Sequence, residues 1–381
     1  MIDRQRVVQE FLALAATGSV SRREAGIAKL LVQTLEGLGA TVEVDDAGPK
    51  AKSDSGNVLA RFPGSASGAP PFLLCAHMDT VVPGETVRPV MEGDVVRTDG
   101  TSVLGGDDKS GIVAILEAVR VVRAAGIPHG PIEVLFTICE ELGLLGAKHF
   151  DVGRLTARTG LVLDCDGVQE LITRAPAANT VDVTVHGLEA HAGIAPEQGI
   201  SAIQVAAEAI AGMRLGRVDD ETTANFGVVS GGLAINIIPN QVRLRGETRS
   251  LSIEKLDRQT AHMRERFEQA AANHRVTVGG QTRAARVEVH VGRDYERLAI
   301  ADDARVVRLV RDASSRIGGA FRTRGTGGGS DANVFSARGL EVANLGCGMR
   351  QIHTVDEWID VNDIFTTSQL LVEVLRLNAE R

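Results

Sequence analysis

The feature that most constrains the fold is an unbroken apolar run that ends in a histidine and an aspartate, at residues 72–80 (FLLCAHMDT). A run without polar alternation is typical of a strand covered on both faces, as in the central sheet of an α/β protein. His77 and Asp79 share one face at the end of this strand. The pair suits a metal-binding histidine oriented by a carboxylate, and it equally suits a buried His–Asp hydrogen bond.

Further acidic residues and one more histidine stand at the ends of other predicted elements. Two apolar strands, at 131–139 and 159–167, end in carboxylates, and a glycine-rich turn at 104–111 places others at the start of a helix. The residues concerned, with a histidine from a late loop, are Glu140, Glu141, Asp164, Asp107 and His353. In an open α/β sheet the carboxyl ends of the strands lie at one edge, where ligands bind. The sequence therefore predicts that these side chains meet His77 and Asp79 in one cleft.

Two histidines and several carboxylates in one cleft predict a site for divalent metal ions. These donors suit zinc above all, with cobalt and manganese as alternatives, and a carboxylate between two ions can bridge them. Taken separately, these acidic residues also have simpler explanations. Asp107 or Asp108 can cap a helix, and the Glu140–Glu141 pair can form a solvated acidic turn. The glycine-rich turns lack the Walker A and GxGxxG sequences, which disfavours phosphate binding.

The order of the predicted elements indicates an α/β protein with an inserted domain. Apolar strands alternate with helices in the first and last parts of the chain, which predicts a mostly parallel central sheet flanked by helices. Between these parts, residues 180–186 alternate as a half-exposed antiparallel strand does, and the segments that follow have a β-α-β-β-α-β order of ferredoxin-like type. We therefore predict a catalytic domain at 1–175 and 293–381, interrupted by an α+β domain at 176–292.

Composition and charge exclude several classes of partner. The 381 residues carry a net charge of −8 without a dense Lys/Arg block, which argues against binding to nucleic acid or to an anionic membrane surface. No apolar run approaches the roughly 18 residues of a membrane span, and the first residues lack the order of a signal peptide, so we expect a cytoplasmic protein. The four cysteines are scattered singly, which predicts buried thiols rather than disulfides.

Together these motifs resemble those of the dinuclear zinc exopeptidases and amidohydrolases, which include peptidase T, glutamate carboxypeptidase, aminoacylase and succinyl-diaminopimelate desuccinylase. The resemblance covers nearly the whole chain and rests on 77–79 (HMD), 106–109 (GDDK), 140–141 (EE), Asp164, His191 and His353. It is nearest to peptidase T, because Asp164 is an aspartate rather than a glutamate and because 104–109 (LGGDDK) and 328–331 (GGSD) are similar to its motifs.

The resemblance implies two zinc ions and a role for each residue of the cleft. Asp79 would orient a histidine ligand, and Glu140 would be the general acid and base. The implied ligands are His77 and Asp164 for one ion, Glu141 and His353 for the other, and Asp107 as the bridge between them.

The inserted domain resembles the lid domains of this family. His191, in the segment 191–196 (HAGIAP), resembles a lid histidine that assists the oxyanion, in some relatives from the partner subunit of a homodimer. Asn236 and Arg249 resemble lid residues that hold the carboxylate of the substrate. An arginine on an antiparallel strand is nevertheless more often simply solvated.

The activity implied by the resemblance is that of an aminopeptidase of tripeptidase type, which removes the N-terminal residue from short peptides. An N-acyl or N-carbamoyl amino acid amidohydrolase, or a carboxypeptidase, of the same family is the alternative, because it would use the same metal ligands. A non-catalytic peptide-binding protein should have lost a ligand or Glu140, and none is missing. The expected partners are a short peptide or amide substrate and, through the lid domain, a second copy of the chain.

Overall fold

The computed structural model describes residues 1–380, and the chain forms two compact units. The first unit comprises residues 1–174, 298–326 and 330 onward, and the second comprises residues 175–297 and 327–329. The predicted fold class, an α/β structure with an inserted α+β part, is confirmed. No helix among the described residues is long and apolar enough to cross a membrane.

Side-chain caps mark the start of several helices. Asp3, Ser201 and Ser252 each accept a hydrogen bond from a backbone N–H in the first turn of the helix that follows, which satisfies one of the free donors there. The helices of the described chain are α1 (Arg4–Ala15), α2 (Ala25–Gly37), α3 (Ala47–Ala51), α4 (Gly106–Ala124), α5 (Leu145–His149), α6 (Ala202–Ala211), α7 (Ile253–Asn273), α8 (Arg305–Arg316), α9 (Asp331–Ala337) and α10 (Val361–Glu380).

The strands alternate with these helices along the first unit and cluster in the second. They are β1 (Thr41–Val44), β2 (Val58–Phe62), β3 (Phe72–His77), β4 (Pro89–Glu92), β5 (Val95–Thr98), β6 (Ile132–Thr137), β7 (Thr159–Asp166), β8 (Val168–Ala175), β9 (Ala177–His186), β10 (Gly216–Asp219), β11 (Thr222–Gly231), β12 (Gln241–Ser250), β13 (Arg275–Val278), β14 (Gln281–Ala284), β15 (Arg286–Tyr295), β16 (Leu298–Ala299), β17 (Arg322–Gly325), β18 (Glu341–Met349) and β19 (Ile359–Asp360).

The first unit is built on a nine-stranded sheet whose central strands are parallel. The strand order is β1-β2-β6-β3-β7-β18-β8-β16, and β17 pairs with β8. The neighbours β6, β3, β7 and β18 all run in parallel, whereas β2 is antiparallel to β6 and β8 is antiparallel to β18. The carboxyl ends of the four central strands therefore lie at one edge of the sheet.

Both faces of the central sheet are covered, because all six residues of β3 and of β6 are buried. Leu74 lies in one apolar cluster with Ile115 of α4 and Leu371 of α10, while its neighbours Leu73 and Cys75, which point to the opposite face, are also fully buried. Burial of each large apolar side chain contributes about 1.5–3 kcal/mol. The loops at the strand ends are therefore attached to a sheet that is tightly packed on both faces.

The second unit contains a five-stranded antiparallel sheet with α6 and α7 packed on one face. Its strand order is β10-β11-β12-β9-β15, and Val183, Leu244 and Phe267 belong to its core. The β9-α6-β11-β12-α7-β15 series follows the predicted ferredoxin-like order, and β10 and the β13–β14 hairpin are additions. β12 begins at Gln241, two residues after Pro239, which has no N–H to donate to a ladder.

The chain leaves the first unit and returns to it through neighbouring strands. β8 precedes the second unit, and β16 follows it. These two strands are adjacent in the central sheet, where the Ile300 N–H donates to the Thr173 carbonyl at 2.9 Å.

Candidate metal centre

Seven of the predicted site residues lie together at the carboxyl ends of the parallel strands of the first unit. β3 ends in one of them and a second follows it, two come after β6, another lies near the end of β7, the first turn of α4 carries one, and the loop after β18 carries the last. The seven are His77, Asp79, Asp107, Glu140, Glu141, Asp164 and His353. Parallel pairing of neighbouring strands explains why residues so far apart in the sequence meet here.

The donor atoms of these side chains form three overlapping groups: two share Asp107, and the third joins His77, Glu140 and Glu141. His77, Asp107 and Asp164 each place one nitrogen or oxygen within 4.8 Å of the other two. Asp107, Glu141 and His353 do the same. The members of the two groups are the residues that the sequence predicts as ligands of two metal ions.

The two carboxylate oxygens of Asp107 face different histidines, as the predicted bridging role requires. Oδ1 lies 2.9 Å from His77 Nε2, and Oδ2 lies 3.3 Å from His353 Nε2. His77 Nε2 is also 3.8 Å from an Asp164 oxygen, and His353 Nε2 is 2.9 Å from a Glu141 oxygen. Two donors that share a tetrahedral ion about 2.0 to 2.2 Å away stand roughly 3.3 to 3.6 Å apart. The four distances lie within about 0.4 Å of this range, and the donor types suit two divalent cations.

Asp79 contacts His77 mainly through its main chain. The ring nitrogen Nδ1 of His77 lies 2.9 Å from the Asp79 carbonyl and 3.5 Å from its carboxylate. A carbonyl oxygen only accepts, so Nδ1 carries a proton, and Nε2, which faces the Asp107 carboxylate, is the nitrogen that would bind a metal ion. The Asp79 carboxylate instead accepts from the N–H of Glu140 at 2.9 Å and from that of Glu141 at 3.3 Å. Its side chain thus fixes the turn that carries both glutamates, which the sequence did not indicate.

Crowding of buried acids shifts the pKa values of the site. Burial, and then repulsion from Asp164, raise the pKa of Glu140 well above its ordinary value. Burial, and then repulsion from Asp107, do the same for Asp164. Burial alone would raise the pKa of Asp107, but hydrogen bonds from two histidines lower it, and bonds to two carboxylates raise the pKa of His353 to about 10. The cluster is short of positive charge, which divalent cations would supply.

Glu357 holds the turn that carries Asp107. Its buried carboxylate accepts from the backbone N–H of Gly105 at 2.8 Å and from that of Asp107 at 2.9 Å. Asp107 has φ −80° and ψ 102°, outside the helical region, and its own carboxylate faces the histidines, so it does not serve as a simple cap of α4. The sequence analysis missed Glu357, whose one signal was an acid four residues after His353.

Asn344, on β18, fixes the backbone of Asp164 on the neighbouring β7. Its buried side chain accepts from the Asp164 N–H at 2.9 Å and donates to the Asp164 carbonyl at 2.7 Å. The sequence analysis missed this residue also. Its signal was a lone amide inside the apolar run 341–345 (EVANL), where a buried side chain of this kind needs partners.

The three predicted residues of the second unit do not all lie together. A short pair of segments extends the sheet past the start of β12: residues 187–192, which follow β9, pair with residues 236–240, which precede β12. We call this pair of segments the arm. Within it, the Ala192 N–H donates to the Asn236 carbonyl at 3.0 Å. Arg249 lies toward the other end of β12, eight residues from its start and thus roughly 26 Å away along an extended strand. One substrate carboxylate held by both Asn236 and Arg249 would therefore need two protomers.

The side chain of Arg249 already has a partner. Its Nε and Nη2 donate to the two carboxylate oxygens of Glu247, at 3.0 Å each. Such a bidentate pair is among the stronger hydrogen-bonded contacts of a guanidinium. A substrate carboxylate would compete with Glu247 for these two donors.

A site of histidine and carboxylate donors at the strand ends of an α/β unit is that of a metal-dependent hydrolase, and comparison with known proteins gives the family. Residues 73–377 match the sequence profile of peptidase family M20/M25/M40. The chain belongs to this family and is a metallopeptidase, as the resemblance of its motifs implied.

Several relatives match the chain over its length. It is 39% identical to the uncharacterized protein YqjE of Bacillus subtilis (strain 168), over 98% of this chain and 99% of the relative. Among solved structures it is similar to aminopeptidase PepT from Bacillus cereus, with 39% identity and a TM-score of 0.87. It is also similar to a tripeptidase from Staphylococcus aureus, with 33% identity and a TM-score of 0.92, and each of these two matches covers 100% of both chains. The predicted nearness to peptidase T-like proteins is thus confirmed, and an exopeptidase function is supported.

Proposed function

We propose that the chain is an aminopeptidase of tripeptidase type, which hydrolyses the N-terminal amide bond of short peptides with two bound zinc ions. The observation that carries this proposal is the pair of donor groups that share Asp107, next to the carboxyl group of Glu140, which belongs to neither of these two but forms a third group with His77 and Glu141. Cobalt and manganese suit the same donors and are the alternatives to zinc.

The ligands and Glu140 divide the chemistry between them. When bound, two such ions would polarise the scissile carbonyl and lower the pKa of the attacking water. Glu140 takes the proton of this water as general base and returns it to the leaving amine as general acid. The ligand residues are His77 and Asp164 for one ion, Glu141 and His353 for the other, and Asp107 for both.

The charge of the cleft favours a substrate with a free amino terminus. Carboxylates outnumber histidines around the candidate ligands, and a free α-amino group is a cation. The similarity to an aminopeptidase and to a tripeptidase supports the same choice. An N-acyl amino acid lacks this cation and is the substrate of the alternative, deacylating branch.

Comparison of free and N-acetylated tripeptides tests the substrate class. We expect cleavage of the free tripeptide after its first residue and no cleavage of the acetylated one, because acetylation removes the cation that the acidic cleft attracts. Products are identified by mass, with an N-acyl amino acid as the competing substrate. Faster hydrolysis of the N-acyl amino acid than of any free tripeptide would move the chain to the amidohydrolase branch of the family.

His191 is proposed to assist the oxyanion of the reaction, in its own subunit or in a partner's. The Gly193 N–H lies 3.2 Å from Nδ1 of His191, so this nitrogen accepts and the neutral ring carries its proton on Nε2. Nε2 can then donate to a developing negative charge. His191 is exposed on the arm, as a residue that contacts substrate only in a closed state should be.

Replacement of His191 by alanine is expected to lower kcat by about 10²-fold with metal content unchanged, because one oxyanion donor contributes roughly this much. Steady-state kinetics and metal analysis give the two readouts. His290→Ala, at an exposed histidine on β15 of the same unit, is the matched control and should keep its rate. An unchanged kcat in the His191→Ala variant would contradict the proposal that His191 assists the oxyanion.

A further inference from the structure

The segment between α1 and α2, residues 17–24, contacts the loops that carry the candidate catalytic residues. Its main chain pairs with Thr80, just after β3, through a Thr80 N–H to Ser19 carbonyl bond of 2.9 Å and a Ser21 N–H to Thr80 carbonyl bond of 3.1 Å. The segment lies outside residues 73–377, which match the family profile. None of its side chains was singled out by the sequence analysis.

Glu24 supports the turn that leads into Glu140. It is fully buried, and its Oε1 accepts from the N–H of Cys139 at 3.0 Å and from its thiol at 3.2 Å. Cys139 has φ +49°, in the left-handed region that residues other than glycine seldom adopt. A conformation of this kind persists only where its surroundings enforce it. The hydrogen bonds that Glu24 accepts from Cys139 supply that enforcement, and the Ser53 hydroxyl holds Glu24 by donating to its Oε2 at 2.5 Å.

Ser21 supports the same turn from its other side, through Asp79. The Ser21 hydroxyl donates to Asp79 Oδ2 at 2.7 Å, and the two Asp79 oxygens accept from the N–H groups of Glu140 and Glu141. Three consecutive backbone amides, those of residues 139 to 141, are therefore all held by two carboxylates. Both carboxylates are fixed in turn by hydroxyl groups.

We propose that Glu24 and Ser21 are positioning residues for catalysis, which hold the backbone of Glu140 so that its carboxyl group reaches the attacking water. This inference rests on the acid and base role of Glu140 in the proposed function. A displacement of about 1 Å in a reacting group can cost 10²-fold in rate. The side chains of Glu24 and Ser21 would therefore influence kcat through the backbone of residues 139 to 141.

Variants of Glu24 separate positioning from general stability. Glu24→Ala removes both acceptors and should lower kcat about 10- to 100-fold, with KM within about twofold and metal content unchanged. Glu24→Gln keeps an oxygen that can accept from the Cys139 N–H and should recover most of the rate. Ser21→Ala, at a half-buried site where folding is not at risk, should lower kcat in the same sense by less.

Glu133 provides a matched control for these variants. It is likewise a buried glutamate that accepts from backbone amides, those of Thr156 at 3.0 Å and Ala157 at 2.8 Å, but it lies near the start of β6, away from Glu140. Glu133→Ala should lower the melting temperature as Glu24→Ala does, yet keep kcat. A parallel loss of kcat in both variants, or unchanged kcat in both Glu24→Ala and Ser21→Ala, would overturn the proposal.

A double-mutant cycle distinguishes a failure of this inference from a failure of the proposed function. If Glu24 acts through Glu140, the Glu24→Ala change should lower kcat in the wild type and have no further effect in a Glu140→Gln background. Equal losses in both backgrounds would refute the positioning role and leave the role of Glu140 intact. Full activity of Glu140→Gln alone would refute the proposed function, and the positioning role with it.

Discussion

Glu140→Gln is expected to lower kcat by about 10²-fold or more and to leave the metal content and the fold unchanged, because general acid and base catalysis contributes at least this much. The backbone N–H of residue 140 still reaches Asp79 in this variant, so the turn is preserved. Glutamine also keeps the size of the side chain, which limits the change to the loss of a proton acceptor.

Glu141→Gln is the matched comparison, since the same chemical change falls on the neighbouring residue. The Glu141 carboxylate lies 2.9 Å from His353 Nε2 within one donor group, so this variant should lose metal along with its activity. Kinetics and metal analysis on both proteins give the result. Equal metal content in the two variants would contradict the separate roles assigned to the two glutamates.

Removal of divalent metal is expected to abolish peptidase activity, by on the order of 10³-fold or more, because the ions supply several kcal/mol of transition-state stabilisation. Chelation followed by dialysis produces the metal-free protein, and its melting temperature should fall because the crowded carboxylates then repel one another. A rate that survives this treatment would show that the reaction does not need the ions.

Stepwise return of zinc, cobalt or manganese tests the number of ions and their identity. Two equivalents per chain should be needed for the full rate, because two donor groups share Asp107. Complete recovery with one equivalent would refute the two-ion arrangement. The metal that restores the highest rate at the lowest free concentration is the candidate for the native ion.

The meeting of several site residues could be predicted from sequence because they stand where buried apolar segments stop. His77, Glu140 and Asp164 follow or end runs that can only be central strands, and parallel strands bring such positions to one edge. The chemistry of the residue types then predicts divalent metal. Local pattern and general topology were sufficient for this part.

The residues that hold the donors could not be predicted, because their partners lie far away in the sequence. Glu24 binds the amide of Cys139, 115 residues later, and Glu357 binds Gly105 across 252 residues. A glutamate in a polar segment looks the same whether it is solvated or buried against a backbone amide. For the same reason, the sequence indicated a contact between the Asp79 side chain and His77 but not its hydrogen bonds to the amides of residues 140 and 141.

Some elements were missed where the local pattern was weak. β8 follows β7 after Gly167 alone, so two strands of the sheet run together in the sequence without a turn cluster to separate them. The β13–β14 hairpin is short and mostly exposed, and its one signal was the Gly279–Gly280 turn. Neither element carries a residue of the candidate site.

The chain enters the second unit after β8 and leaves it before β16, and this bears on how proteins of this type can diverge. The two connections are already hydrogen-bonded neighbours, so an ancestral chain without the insert could have joined them by a short loop. All the candidate ligands lie outside residues 175–297. Lineages can therefore inherit one hydrolytic centre unchanged while the inserted segment is lengthened, exchanged or rebuilt.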